Sequence, residues 1–279
     1  AAFAKEVNVG QNIDVASDGN VYNILLIGSD TRDGWYGNSD SMILASINSQ
    51  TKTIYMTSFM RDLYANIPNV GIRKLNSAYA VGGGPLLVST IESNYRVDID
   101  NYASVDFSSM ANIIDLVGGV DLEVSTQEAD YINMYLDEQC RLQGLNASDY
   151  YVAGGGITHL NGNQAVGFAR IRYTSRGNEH SDYGRTSRQR EILVQLMQKA
   201  RSLDATTLLA VVNNMLPLIT HNIDAATLTT LIANAPSYIN YDIQTDRIPY
   251  DGLYSNLGEE LVPDFEATIN RLHQTIYGN

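Results

Sequence analysis

Cysteine and long apolar runs are scarce in this chain. Its 279 residues include one cysteine, Cys140, which excludes an internal disulfide and a cysteine-rich metal site. No apolar run reaches the roughly 18 residues of a membrane-spanning helix. The chain begins Ala-Ala-Phe-Ala-Lys without methionine. This start predicts a processed protein whose upstream segment lies outside the sequence.

Several motifs of common enzyme classes are also missing. The sequence contains neither GxxxxGK nor GxGxxG, so a phosphate loop and a dinucleotide fingerprint are excluded. It has no GxSxG elbow, which argues against a serine hydrolase. The four histidines show no HxxxH or HxH spacing, which argues against a histidine zinc site.

Positively charged residues are scarce as well, and a third of them lie in one short segment. The formal net charge is −13 and the pI is near 4.6, which argues against nucleic acid as the main partner. Yet six of the fourteen arginines lie in the 21 residues from Arg170 to Arg190, with only Glu179 and Asp182 as carboxylates. Guanidinium groups bind phosphate oxygens bidentately, so the segment predicts a site for a small anion. The alternative is a solvated, salt-bridged surface.

The chain after this segment has a helical pattern. Apolar residues recur at one-face spacing from Ile192, and Thr186 with Gln189 fits a capping box. We therefore expect a helix from Gln189, with Arg185, Arg188 and Arg190 crowded at its N-terminus. The helix dipole disfavours cations there, which again favours a bound anion.

Strand and helix patterns alternate along the chain. They predict an α/β fold, a three-layer α/β sandwich with a mixed central sheet flanked by helices. The stretch Thr126 to Thr158 lacks a clear period and is interpreted as an insertion (126–158) that covers a site. With no repeats or linkers, one domain (1–279) is expected, with residues 1–20 as an N-terminal tail. The expected elements are strands at Val21 to Ile27, Met42 to Asn48, Thr53 to Phe59, Tyr102 to Phe107 and Val120 to Val124, and helices at Pro85 to Asn94 and Ser108 to Val117.

Two aspartates lie at predicted strand ends. Asp30 follows one strand and Asp40 precedes the next, and paired carboxylates are the usual protein ligands of Mg²⁺. Ordinary turn chemistry is the alternative for each aspartate alone. Together with the arginines and the Arg61-Asp62 pair, they form a set suited to phosphoryl transfer.

Eight motifs in order resemble those of the LytR-CpsA-Psr family, extracytoplasmic phosphotransferases of Gram-positive bacteria that attach glycopolymers to peptidoglycan. The motifs are NILLIGSDTR, SDSMILASIN, SFMRDL, RKLNSAYAVGGG, IDNYASVDF, DLVGGVDL, HLNGNQAVGFARIR and DYGRTSRQREIL. The resemblance implies a hydrophobic pocket for a polyprenyl chain with a Mg²⁺-assisted pyrophosphate site at its mouth; Mn²⁺ is the alternative ion. It also implies a membrane anchor upstream of Ala1, at the extracytoplasmic face of the cell membrane.

The resemblance also implies roles for individual residues. Asp30 and Asp40 correspond to the metal-associated aspartates. The implied pyrophosphate-binding set is Arg32, Arg61, Lys74, Asn76, Arg170, Arg172, Arg185, Arg188 and Gln189. The implied catalytic set is Arg61, Asp62, Arg170, Arg172 and Arg188, with Asp62 as the hypothetical base.

The implied reaction transfers a glycosyl phosphate polymer, such as teichoic acid or capsule, from a polyprenyl (undecaprenyl) pyrophosphate carrier to a sugar hydroxyl of peptidoglycan. Met60 stands where the family usually has proline, a change expected to alter only backbone stiffness. Two alternatives stay open. One is a pyrophosphohydrolase acting on isoprenoid or nucleotide pyrophosphates, either as the main activity or as a side activity of the transferase. The other is a regulatory protein that binds polyprenyl phosphates without turnover.

Overall fold

The computed structural model describes residues 12–29, 37–176 and 181–278. The chain divides into two compact units. The first comprises Ala1–Ser104, His221–Asp224 and Tyr241–Asn279, and the second comprises Val105–Thr220 and Ala225–Asn240. The prediction of a single domain stays a prediction.

The first unit is built on a six-stranded sheet. The division between the units falls inside two strands of this sheet, β6 (Asn101–Asp106) and β9 (Thr220–His221). The elements are β1 (Val21–Ser29), β2 (Ser39–Asn48), β3 (Thr53–Phe59), β4 (Tyr64–Ile67), β5 (Gly71–Lys74), α1 (Ser77–Tyr95), β6 (Asn101–Asp106), β9 (Thr220–His221), β10 (Asp242–Ile248), β11 (Tyr254–Leu257), β12 (Glu260–Pro263) and α8 (Phe265–Tyr277).

The sheet is mixed. Its order is β10-β3-β2-β1-β6-β9; β2 runs antiparallel to both β1 and β3, whereas β10 runs parallel to β3. Alternate residues of β1 are buried, as expected for a strand with one face on a core. Helices α1 and α8 pack on β2 and on each other. The α/β class and the mixed sheet with flanking helices are confirmed.

Helix α1 contains a kink where the sequence predicts the end of one helix and the start of another. Gly82 and Gly83 leave helical geometry, and Gly83 adopts φ 62°, which favours glycine. Pro85 follows at the start of the second segment. A Cβ on Gly84 would lie 2.3 Å from the ring of Tyr102, so this glycine allows close packing against β6. The predicted break is therefore present.

The second unit is mostly helical. Besides the part of β6 that enters it, it contains α2 (Phe107–Leu116), β7 (Val120–Val124), α3 (Thr126–Gln143), β8 (Gly156–Leu160), α4 (Gly162–Arg170), α5 (Ser181–Arg201), α6 (Ala205–Met215) and α7 (Ala225–Tyr238), with short 3₁₀ turns at Ala147–Tyr150 and Leu216–Leu218.

Helix α3 corrects the prediction that residues 126–158 lack a period. Ser125 caps the helix and forms a capping box with Glu128. Ala129, Ile132 and Leu136 are buried at helical spacing in a core shared with β7, β8 and α4. The pattern was hidden because charged residues and tyrosines separate these apolar positions. The role of this stretch as an insertion covering a site stays a prediction.

Among the described residues, no helix is both long and apolar enough to cross a membrane. The hydrophobic pocket for a polyprenyl chain stays a prediction.

Candidate active site

The sheet register places three of the predicted residues at one end of the first unit. Because β2 is antiparallel to its neighbours, its first residues lie beside the last residues of β1 and β3. Asp40 is the second residue of β2, and Arg61 and Asp62 follow β3. Asp30 and Arg32, predicted for the metal site and the pyrophosphate site, lie outside the described residues.

Four predicted residues form one chain of ion pairs, here called the 40–74 network: Asp40, Arg61, Asp62 and Lys74. Arg61 lies 3.6 Å from Asp40 Oδ1 and, through Nε, 3.5 Å from Asp62 Oδ2. Lys74 Nζ lies 3.0 Å from Asp62 Oδ1. All four side chains keep between 20 and 30% of their surface exposed, so the network is accessible to a ligand.

Backbone hydrogen bonds fix the loop that carries Arg61 and Asp62. Asn76 N donates to Arg61 O at 3.2 Å, and Leu261 N donates to Asp62 O at 2.9 Å. Leu75 N donates to Leu63 O at 2.7 Å. The predicted residue Asn76 therefore contributes its backbone here, next to the start of α1.

Lys74 forms a second ion pair with a carboxylate outside the network. Its Nζ lies 3.0 Å from Glu259 in the turn between β11 and β12. The hydrogen bond to Asp62, followed by the one to Glu259, raises the pKa of Lys74 above its ordinary value. Lys74 therefore stays cationic throughout the physiological range. Glu259 could not be predicted as part of this site, because it lies in none of the eight motifs and resembles an ordinary turn residue.

Magnesium is usually held in proteins by one or two carboxylates, with water and substrate phosphate oxygens completing the octahedron. The described residues contain no group of three His, Cys, Asp or Glu side chains arranged for a metal. Asp40 nevertheless fits the role of a single carboxylate ligand, since it is partly exposed and lies 3.6 Å from the Arg61 guanidinium.

The arginine-rich segment of the second unit is organised differently from the prediction. Helix α5 begins at Ser181 rather than Gln189, so Arg185, Arg188 and Arg190 lie within the helix and not at its N-terminus. Thr186 Oγ1 donates to Tyr183 O at 2.8 Å instead of capping a helix. The argument from the helix dipole is therefore wrong.

The first turns of α5 were not predicted, because arginines occupy positions on the buried face of the helix where apolar residues are expected. Arg185, Arg188 and Ile192 are all buried and lie on the same face of the helix. An apolar period is therefore visible only from Ile192 onward.

Glu128 neutralises part of the positive charge of the segment inside the unit. This carboxylate is 2% exposed and accepts from Arg188 Nε at 2.9 Å and from Arg176 at 3.3 Å. Arg176 also donates to Glu191, which is the largest cause of its raised pKa. The S-x-x-E pattern at Ser125 to Glu128 was the available signal for this residue.

Arg188 is completely buried. Its guanidinium also donates to the carbonyl oxygens of Ile171, Thr174 and Ser175, at 3.1 to 3.3 Å. Burial lowers the pKa of Arg188, and the hydrogen bond to Glu128 opposes this shift. These contacts make Arg188 a support for residues 171–175; its predicted contact with pyrophosphate stays a prediction.

Arg170 has a different environment. Its guanidinium stacks on Phe107 at 4.9 Å and on Tyr135 at 4.8 Å, and within the described ranges no carboxylate forms an ion pair with it. Stacked guanidinium groups keep their N–H donors available in the plane of the group. Of the predicted arginines, Arg170 is thus well suited to bind an anion.

Arg172 and Arg185 share one carboxylate. Arg172 Nε lies 3.7 Å from Asp182, and Arg185 lies 3.6 Å from the same oxygen. Arg185 is buried, whereas Arg172 is 35% exposed. Gln189 is half-buried on α5, and its predicted contact with pyrophosphate stays a prediction.

Sequence relatives with assigned names cover most of the chain. It is 35% identical over 269 residues to the polyisoprenyl-teichoic acid–peptidoglycan teichoic acid transferase TagU of Oceanobacillus iheyensis, covering 92% of this chain and 75% of that protein. It is 30% identical over 215 residues to biofilm regulatory protein A of Streptococcus mutans, covering 73% of this chain and 50% of that protein. The chain thus spans about half the length of the latter relative.

A solved structure shares the fold. The LytR-CPS2A-psr family protein YwtF (TagT) of Bacillus subtilis, with bound octaprenyl pyrophosphate lipid, superposes with a TM-score of 0.66 at 21% identity. The match covers 95% of this chain and 94% of that one.

The sequence profile of the LytR_cpsA_psr family matches residues 2–271, nearly the whole chain. The order of the eight motifs, the mixed sheet and these relatives agree with that match, and the chain therefore belongs to the LytR_cpsA_psr family.

Proposed function

We propose that this protein transfers a glycosyl phosphate polymer from a polyprenyl pyrophosphate carrier to a sugar hydroxyl of peptidoglycan. The 40–74 network carries the proposal, since it combines two cations with two partly exposed carboxylates at one end of a sheet. The name of the TagU relative and the lipid bound to TagT support the same donor and acceptor classes. By the same reasoning, the protein acts at the extracytoplasmic face of the cell membrane.

The step exchanges one phosphorus–oxygen bond for another. The acceptor hydroxyl oxygen attacks the phosphorus that bears the sugar, and the bond from that phosphorus to the bridging oxygen breaks. The products are a glycan phosphodiester and polyprenyl phosphate. The hydroxyl proton passes to a carboxylate, for which Asp62 is the candidate because it belongs to the network and is partly exposed.

In this scheme the two cations of the network bind the pyrophosphate. Arg61 offers planar donors to two phosphate oxygens at once, whereas Lys74 is a compact charge whose position is fixed by Asp62 and Glu259. Both stabilise the negative charge that builds on the pyrophosphate oxygens in the transition state. Mg²⁺ on Asp40, when bound, would supply further positive charge to the same oxygens.

Replacing Arg61 with alanine tests this proposal. We expect Arg61→Ala to lower the transfer rate by about 10²-fold or more, the usual cost of losing one donor to a developing charge. The measurement is the formation of glycan-linked phosphate from a polyprenyl-pyrophosphate-linked saccharide and peptidoglycan fragments, with Mg²⁺ and with a chelator. Arg141→Ala is the matched control, because Arg141 is an exposed arginine near the end of α3.

The outcomes separate the alternatives. Product on the glycan, lost in Arg61→Ala and kept in Arg141→Ala, supports the transferase. Saccharide phosphate released into water with no requirement for a glycan would identify a pyrophosphohydrolase instead. Lipid binding without turnover, with or without Mg²⁺, would favour a regulatory binding protein.

A further inference from the structure

Two tyrosines, the exposed Tyr173 of the arginine-rich segment and the half-buried Tyr131, form a partly exposed aromatic surface. The rings of Tyr131 on α3 and Tyr173 lie 5.9 Å apart and are tilted by 35°. Tyr173 is 72% exposed, although tyrosine normally buries most of its ring. Met134, on the same side of α3 three residues after Tyr131, is 63% exposed. The Tyr131–Tyr173 pair is called the tyrosine platform below.

The platform is held in place by contacts along α3. Tyr135 Oη donates to Arg170 O at 3.0 Å, one helical turn beyond Tyr131. Thr174 Oγ1 donates to Gln127 at 3.0 Å, one turn before it. Residues 170–174 therefore follow the helix over two turns, and Tyr173 is fixed between two hydrogen bonds.

The same segment places cationic groups next to the platform. Arg170 stacks on Tyr135, the residue one helical turn from Tyr131, so its guanidinium is about one helical pitch, roughly 5 Å, from the platform along the helix. Arg172 immediately precedes Tyr173 and is 35% exposed. A ligand that fits this surface carries an anionic group next to a ring with one apolar face and a polar rim.

We propose that the tyrosine platform binds a hexopyranose ring, with the phosphate next to that sugar bound by Arg170. The C–H face of a pyranose suits the face of an aromatic ring, while its hydroxyl groups remain hydrated at an exposed site. This inference rests on the proposed function, which supplies a saccharide linked to phosphate, and it assigns the platform a role in sugar binding. The sugar is supplied either by the donor lipid or by the acceptor glycan.

The test measures binding by calorimetry for three probes: octaprenyl pyrophosphate, octaprenyl pyrophosphate bearing one hexose, and a soluble peptidoglycan disaccharide. We expect Tyr173→Ala to weaken binding of a sugar-bearing probe by about tenfold, the loss of one aromatic contact. Binding of bare octaprenyl pyrophosphate should stay unchanged. Tyr173→Phe should retain the affinity, since the ring face is kept.

Tyr150→Ala is the matched control, because Tyr150 is also exposed and accepts a hydrogen bond from Gln164 through its backbone carbonyl oxygen. An effect on the hexose-bearing lipid assigns the platform to the donor, and an effect on the disaccharide assigns it to the acceptor. Equal affinity of Tyr173→Ala and wild type for both sugar probes would overturn the proposal. An equal loss of affinity for all three probes would overturn it too.

Failure of the platform can be told apart from failure of the proposed function. If the protein transfers polymer but Tyr173→Ala binds both sugar probes normally, the platform alone is wrong. If Tyr173→Ala weakens sugar binding but no transfer occurs under any condition, the platform stands and the transferase is wrong.

Discussion

At the residue scale, the buried carboxylate of Glu128 pairs with two arginines of the second unit. Glu128 accepts hydrogen bonds from the Ser125 backbone and hydroxyl as well as from two arginines. Burying charges is costly, and the cost is offset only when each charge has close partners. Glu128 thus connects the start of α3 to α5 through Arg188, which in turn holds the backbone at Ile171 and Thr174.

Removing the charge of Glu128 should therefore destabilise the protein. We expect Glu128→Gln to lower the free energy of unfolding by about 3 kcal/mol, because Arg188 would keep its buried charge without a counterion. Chemical denaturation at pH 7.5 measures the effect. Glu138→Gln, on the exposed face of the same helix, is the control and should change stability by less than about 0.5 kcal/mol.

The result also addresses Arg188. If Arg188→Met destabilises the protein as much as Glu128→Gln, and the double variant loses little more, the two residues act as a pair. If Arg188→Met instead leaves stability unchanged and weakens pyrophosphate binding, the supporting position assigned to Arg188 is wrong.

At the element scale, a glycine allows α2 and α4 to pack closely against each other. A Cβ on Gly162 would lie 2.0 Å from the carbonyl oxygen of Ala111 in α2, a backbone atom that cannot rotate away. Gly162 N also donates to Asp115 at 2.7 Å. This close approach positions α4, whose last residue is Arg170.

Adding one methyl group at this contact should separate the two helices. We expect Gly162→Ala to lower the free energy of unfolding by about 1 to 3 kcal/mol, the usual cost of overpacking. Thermal and chemical denaturation measure it. Gly19→Ala is the control, because a Cβ there meets nothing within 4 Å. Equal stability of Gly162→Ala and wild type would mean that α2 and α4 can move apart freely.

Elements with a simple burial pattern were predicted well from the sequence. The predicted strand Thr53 to Phe59 has the bounds observed for β3, and the predicted helix at 108 to 117 differs from α2 by one residue at each end. The start of α5 was missed because buried arginines replace the apolar residues of its inward face. Helix α3 was missed because charged residues and tyrosines separate the few apolar positions of its buried face.

For the molecule as a whole, the sequence indicated which charged residues belong to one site, but it did not indicate which buried charges form ion pairs with each other. The motifs and strand ends predicted that Asp40, Arg61, Asp62 and Lys74 belong to one site, and they form one network. The arginine-rich segment was predicted to require an external anion, yet Glu128, 42 residues before Arg170, supplies part of the countercharge. Such long-range pairs depend on packing that a single sequence does not specify.

The pH dependence of unfolding should show two opposing contributions from the region where α1 meets α8. Burial lowers the pKa of His273, which lies 3.3 Å from Tyr95 O. Burial raises the pKa of Glu92, which accepts from Ile99 N at 3.1 Å. As pH falls below the unfolded value of 6.5, the unfolded state binds a proton that folded His273 does not, and stability is lost. For Glu92 the folded state binds the extra proton above pH 4.5, so stability is lost as pH rises.

Single substitutions should therefore change the slope of stability against pH in opposite directions. Between pH 4.5 and 7.5, His273→Gln should make the free energy of unfolding rise less steeply with pH than in wild type, and Glu92→Gln should make it rise more steeply. Each change is at most about 1.4 kcal/mol per pH unit, the limit for one proton. Urea denaturation at half-unit intervals of pH measures both slopes. Parallel curves for wild type and His273→Gln would show that His273 titrates alike in the folded and unfolded states, which contradicts its buried position against Tyr95.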